Sequence, residues 1–184
     1  MRSVVPGMND QLSSVVVETK MGWAGVALSD AGIRYATLFH RTRASASGEL
    51  RAYGASDAPH PRAEEVAELL SAYGNGEPAD IEAFPVDLPE CTELQRQTWV
   101  ALRDIPRGET RSYGWLARYV GEGHAPRAIG AAVGSNPIPL WLPCHRVVAS
   151  DGTLHGFGGG LAMKAALLEM EGALPKRLVE AART

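Results

Sequence analysis

Apolar residues fall in short runs over the first forty positions. Leu12 to Thr19, with Val15-Val16-Val17 at its centre, predicts a strand. Trp23 to Leu28 and Ile33 to Phe39 predict two more, joined by the turn-rich Ser29-Asp30-Ala31-Gly32. Together they read as an antiparallel meander. Residues 41–61 are rich in Ser, Ala, Gly and Pro and read as loop. From Arg62 to Tyr73 the pattern changes period: Val66, Leu69 and Leu70 recur at helical spacing, and Glu64, Glu65 and Glu68 face water. Gly74-Asn75-Gly76 stops this helix. Residues 77–91 contain Pro78, Pro85 and Pro89 and read as a linker with a short strand from Ile81 to Phe84.

The second half is patterned for helices. Thr92-Glu93-Leu94-Gln95 is a capping box, and Leu94, Thr98, Ala101 and Leu102 then line one face through Arg103. Ile105-Pro106-Arg107-Gly108 is a turn. Ser112 is placed to cap a helix from Tyr113 to Val120, closed by Gly121. A second helix runs from about Ala125 to Val133, with Pro126 tolerated in its first turn. Two short helices around a tight Gly-containing turn have the shape of a helix-turn-helix, although a plain helical hairpin has the same pattern. Gly152 to Gly160 is a glycine-rich loop, and Leu161 to Met170 is a last helix with Leu161, Ala165 and Leu168 on one face, ending at Glu171-Gly172. The fold class is therefore α/β in the α+β sense. A loose leader (1–11) precedes an N-terminal α/β domain (12–90), a helical C-terminal domain (91–174) and a charged tail (175–184).

Composition narrows the class. The 184 residues are 45% hydrophobic and 21% charged, as in a globular protein. No apolar run approaches membrane-spanning length, and the N-terminus lacks the basic and apolar regions of a signal peptide. Two cysteines, Cys91 and Cys144, make no disulfide framework and no zinc spacing, so a reducing, cytoplasmic location is expected. The net charge of −3 is unevenly spread. Residues 1–90 carry 7 Lys/Arg against 13 Asp/Glu, and residues 91–184 carry 11 against 8. The basic C-terminal half leaves room for a phosphate-binding face.

The chemistry centres on Pro143-Cys144-His145-Arg146-Val147-Val148, which reads as a short buried strand bearing a thiol beside an imidazole. A neighbouring imidazole is one way to make the thiolate that nucleophilic chemistry needs. On the dipeptide alone, a buried structural cysteine is the commoner outcome.

The surrounding residues extend the pattern. Ile105-Pro106-x-Gly108-Glu109-Thr110-x-Ser112-Tyr113-Gly114, Arg127-Ala128-Ile129-Gly130, Asn136-Pro137, the Pro143 to Val148 run, and Gly158-Gly159-Gly160-Leu161 with Lys164, Leu167, Leu168, Glu171 and Gly172 follow one another over about 80 residues. In order and spacing they resemble the O6-alkylguanine-DNA alkyltransferase family, DNA-repair proteins that move an alkyl group onto their own cysteine. Residues 12–90 match that family only in outline.

The resemblance implies a helix-turn-helix of winged-helix type and a set of roles. Cys144 would accept the alkyl group, His145 would help remove the thiol proton through a water, Glu171 would hold the histidine, and Asn136 would brace the active-site turn. Arg127 would fill the stack vacated by a flipped nucleotide, entering from the minor groove of double-stranded DNA. Ala128 and Gly130 would let the helix approach closely, and Tyr113 would crowd the phosphate and bond the base. The carbonyls of Cys144 and Val147 would accept from the guanine amino group, and the Gly158 N–H would face O6. The resemblance implies one turnover per molecule, no cofactor, no metal and a monomer, with O4-alkylthymine activity and cooperative binding along DNA left open.

This chain departs from the family pattern in several places. Phe157 stands where members often carry Tyr, and Gly158 where some carry Ser, so the pocket is expected to be roomier. Arg107 replaces a commoner Tyr and could add a phosphate contact. Two other readings remain: a base-flipping sensor that does not repair, and a cysteine hydrolase using Cys144, His145 and Asn136. Known sensors lack the acceptor cysteine, and a hydrolase has no need of Arg127 on a two-helix DNA reader.

Overall fold

The computed structural model describes residues 11–121 and 126–173. All but one residue of the expected leader (1–11) and all of the expected tail (175–184) lie outside them. Three antiparallel strands open the chain: β1 (Leu12–Thr19), β2 (Gly22–Ser29) and β3 (Gly32–Ala36). A fourth, the two-residue β4 (Ala55–Ser56), pairs parallel with β1 and gives the order β3-β2-β1-β4.

Residues 41–61 are not loop. They hold α1 (Arg43–Tyr53) and β4. The Thr42 hydroxyl accepts from the Ser45 N–H at the helix start, and Gly54 closes the end in the left-handed conformation. Its buried face is only Ala46 and Leu50, which is why hydrophobic periodicity did not reveal it. Close packing compensates for that small face. A Cβ at Gly25 would come within 2.8 Å of Leu50 Cδ1, so the bare backbone of β2 is what admits Leu50.

On the opposite face lies α2 (Ala63–Gly74), with Val66, Leu70 and Tyr73 buried. Its last turn presses on β1: a Cβ at Gly74 would meet the Thr19 side chain at 2.6 Å. Ile81–Ala83, expected as a strand, is a single 3-10 turn capped by the Asp80 side chain. The core under α2 continues from Val26, Leu28 and Ile33 to Trp99, Leu102 and Ile105 of the second half. A smaller cluster (Ala27, Leu50, Ala55) lies under α1.

The helical half begins with α3 (Glu93–Leu102), whose Thr92/Gln95 capping box forms as expected. Then come β5 (Arg111–Ser112), α4 (Tyr113–Tyr119, capped by Ser112) and α5 (Pro126–Gly134). Ala125, the expected start of α5, is outside the described residues. The Trp99 indole N–H donates to the Ala132 carbonyl at 2.7 Å and ties α5 to α3. Last come β6 (Val147–Val148), which pairs parallel with β5, and α6 (Leu161–Met170). Leu161 is exposed rather than on the inner face of α6, which is instead Lys164, Ala165, Leu167 and Leu168. Among the described residues no helix is long and apolar enough to cross a membrane.

Candidate active site

The thiol is not on a strand. Cys144–Arg146 forms a 3-10 turn, and only Val147 and Val148 pair with β5. That pairing explains the site's layout. Arg111 and Ser112 sit opposite Val147 and Val148, and Ser112 is the cap from which Tyr113 begins α4. Two residues of sheet thus fix the turn carrying Cys144 against the helix carrying Tyr113.

The approach to the turn is held by Asn136. Its side-chain NH2 donates to the Leu142 carbonyl at 2.7 Å, and its side-chain oxygen accepts from the Ile138 N–H at 3.0 Å. Between them Leu140 takes φ 75°, a left-handed conformation costly for a branched side chain. The strain is contained because Leu140 is fully buried and the Asn136 bonds span the turn.

Behind Cys144 lies a buried polar cluster. His145, Arg146 and Glu171 all have their side chains shielded from solvent. His145 Nε2 lies 3.1 Å from Glu171 Oε1. The Arg146 guanidinium donates to both Glu171 oxygens at 2.8 Å and to the Ile105 carbonyl at 2.7 Å. Glu171 caps the C-terminus of α6, where the helix dipole disfavours a carboxylate, and the Arg146 fork supplies the compensating charge. Burial pushes the Glu171 carboxyl up, but the hydrogen bonds from Arg146 and His145 outweigh it and hold the group well below the usual carboxylate range. Glu171 is therefore ionised at neutral pH.

Burial lowers His145, against the opposing pull of Glu171, so the imidazole is neutral at pH 7. The nitrogen facing the carboxylate carries the proton, which leaves Nδ1 as a bare acceptor. Nδ1 is buried and has no partner among the protein atoms.

For Cys144, burial raises the thiol; the Asn136 side chain and the Lys164 charge lower it in opposition. Lys164, wholly buried on α6, donates to the His155 carbonyl at 2.9 Å. Burial brings it down to about 8, so most of it remains a cation at neutral pH. The sequence marked Lys164 only as part of a motif.

Cys144 opens into a cavity of about 410 Å³ lined by Tyr113, Gly130, Asn136, Phe157 and Gly158 among others. This lies within the roughly 300–1,000 Å³ of small-molecule sites. Burial and then the nearby thiol raise the Tyr113 phenol, which keeps it a donor. A Cβ at Gly130 would meet nothing within 4 Å, so helix packing does not require glycine there. Arg127 is exposed in the first turn of α5, and Ala128 is half-buried beside it.

Not every expected residue reaches the cavity. Val147 is fully buried and absent from the lining, being held in the pairing with Arg111. Arg107 donates to the Glu77 carbonyl at 3.2 Å, and its guanidinium lies 5.7 Å from the Tyr73 ring centre.

Three contributors from the first half escaped sequence reading. The Tyr73 hydroxyl donates to Glu171 Oε1 at 2.7 Å, Glu82 Oε1 lies 2.7 Å from Arg146 Nη2, and Leu38 lines the cavity. Nothing local could have revealed the Tyr73 contact, which spans 98 positions. Among the described residues no cluster of three His, Cys, Asp or Glu could hold a metal ion.

Comparison with known proteins identifies relatives of this chain. Residues 93–173 match the family described as 6-O-methylguanine DNA methyltransferase, DNA binding domain. Methylated-DNA–protein-cysteine methyltransferases of Methanosarcina acetivorans and Mycobacterium leprae are 46% and 49% identical over 109 and 108 residues. Those segments cover 59% and 58% of this chain, and 68% and 64% of the relatives. The crystal structure of Mycobacterium tuberculosis OGT in complex with DNA superposes with a TM-score of 0.72 at 33% identity, covering 91% of this chain and 98% of that one. The chain belongs to the methylated-DNA–protein-cysteine methyltransferase family.

Proposed function

We propose that this protein repairs DNA by transferring the alkyl group of O6-alkylguanine to Cys144, once per molecule. The observation that carries the reading is the cavity with Cys144 in its wall and the buried His145–Glu171–Arg146 cluster behind it.

A thiol of ordinary acidity is only a few per cent thiolate at neutral pH, and burial makes matters worse. Two features oppose this. The Lys164 cation favours the thiolate, and His145 Nδ1 is a free acceptor inside the protein. A water between Sγ and Nδ1 takes the thiol proton to the imidazole, and the Glu171 carboxylate balances the charge that forms. The thiolate attacks the alkyl carbon. An S–C bond forms, the C–O6 bond breaks, and the electron pair leaves on O6. Guanine regains one proton, so the net exchange is an alkyl group for a hydrogen. No step regenerates the thiol, and no cofactor is consumed.

The target base must leave the duplex to reach a cavity of this kind. Arg127, exposed at the start of α5, enters the vacated stack from the minor groove, and Ala128 and Gly130 keep the approaching face bare. Tyr113 donates to the flipped base, and the Gly158 backbone and Phe157 form the wall beside it. With neither a tyrosine hydroxyl at 157 nor a serine at 158, the wall leaves room for groups larger than methyl. Because Cys144 must remain a free thiol, the same reading puts the protein in the reducing cytoplasm.

Two readouts test the proposal. Nucleoside analysis of an O6-methylguanine duplex should show one modified base reverting to guanine per protein molecule, and catalytic excess would refute the reading. Arg127→Ala should slow transfer from duplex by about 50-fold, since holding the base out is worth a few kcal/mol. It should leave transfer from free O6-alkylguanine unchanged. Equal losses on both substrates would remove Arg127 from the flipping step.

A further inference from the structure

We infer that Tyr73, from the N-terminal half, is a positioning residue of the transfer relay: its hydroxyl holds Glu171 and thereby sets how readily His145 takes the thiol proton. The inference rests on the alkyltransferase reading and adds a residue to it.

The geometry is specific. Glu171 Oε1 faces three donors at once: the Tyr73 hydroxyl at 2.7 Å, Arg146 Nη2 at 2.8 Å and His145 Nε2 at 3.1 Å. The same hydroxyl lies 3.4 Å from His145 Nε2. Tyr73 is 1% exposed. Its place is fixed from three sides: Val66 and Leu70 bury the same face of α2, Gly74 presses that helix onto Thr19, and Arg107 covers the ring. Burial, and then Glu171, keep the phenol protonated far above neutral pH. It is thus a permanent donor aimed at the carboxylate that the imidazole must use.

A donor on Glu171 withdraws part of the charge that would stabilise an imidazolium. Without it, His145 becomes more basic. The groups that face His145 are Glu171, Arg146 and Lys164, with Cys144 adjacent in the chain and Tyr73 across from Nε2. Glu82 acts through Arg146, and Tyr113 acts through the thiol. Removing the Tyr73 hydroxyl takes one donor from Glu171 and leaves the other side chains in place. The relay needs neutral His145, so the rate falls as pH drops through its titration.

The test is the pH profile of the single-turnover rate at saturating O6-methylguanine duplex. In Tyr73→Phe the acid limb should move up by about half a pH unit, a fraction of one charge-assisted hydrogen bond. Replacing Tyr73 by 3-fluorotyrosine, a stronger donor of nearly the same shape, should move the limb down. A merely structural tyrosine would change the melting temperature of these variants and leave both limbs where they were. That unmoved result would overturn the inference. If Tyr73→Phe does not fold, the fluorotyrosine arm alone decides, and an unmoved limb there overturns it equally. Absence of transfer by the unmodified protein would overturn the alkyltransferase reading and this inference with it, and the two failures are thereby told apart.

Discussion

Cys144→Ala abolishes alkyl transfer, taking the yield from one alkyl group per molecule to none, and leaves affinity for the alkylated duplex within about two-fold. The asymmetry follows from where the groups lie. Cys144 is in the wall of the cavity and nearly buried, whereas duplex affinity comes mostly from phosphate contacts by surface groups. No neighbour can take over the thiolate's task. His145 Nδ1 is buried, and Lys164 is held by the His155 carbonyl as a cation over most of its population. Cys144→Ser should fail too, because a hydroxyl is a far weaker acid and a far poorer nucleophile than a thiol. Intact mass and fluorescence anisotropy on one sample separate the two effects. Residual transfer by Cys144→Ala would mean that another nucleophile carries the chemistry.

Glu171→Gln has the second largest expected effect, and it appears first in stability. The substitution leaves Arg146 buried with its bidentate partner gone, and with Glu82 as its remaining carboxylate among the described residues. Breaking one side of such a buried pair costs about 3–5 kcal/mol, a large share of a domain's stability. The loss has a pH signature. In the folded protein Glu171 ionises well below the ordinary range, so its contribution is complete above the unfolded carboxylate value of about 4.3 and drains away as pH falls. The gap between the native protein and Glu171→Gln should therefore be widest near neutrality and narrow in acid. His145 acts in the same direction: its lowered folded pKa makes native stability decline as pH falls below about 6.5, and that slope persists in the variant. Urea denaturation across pH measures all of this. A difference below about 1 kcal/mol at pH 7 would mean that the pair behaves like a surface ion pair.

How far the sequence could be read depends on whether the signal was local. The three strands, the Thr92 capping box, the Ser112 cap and α6 all declare themselves within a few residues, and they form, although the third strand stops at Ala36 rather than Phe39. Helix α1 was missed because its inward face is one leucine and one alanine; the Thr42 cap and Gly54 were the signals available. The Cys144 turn was misread because its β-branched exit looks like a strand, but only Val147 and Val148 pair. The sequence places Glu171 at the end of the last helix, where the dipole disfavours a carboxylate, and Arg146 is the reason it can stay there. The role of the acidic first half was not legible at all. Tyr73, Glu82 and Leu38 come to the site only through packing of the sheet and α2 against the helical half.

The central claim is that Cys144 is consumed by its own reaction. Intact-mass analysis with peptide mapping, after mixing the protein with a slight excess of O6-methylguanine duplex, tests it most directly. The account predicts that every molecule gains the mass of one methyl group, that the group maps to Cys144, and that the modified protein does not react again. Continued turnover, a gain on Cys91 or any other residue, or a protein of unchanged mass beside repaired DNA would contradict it.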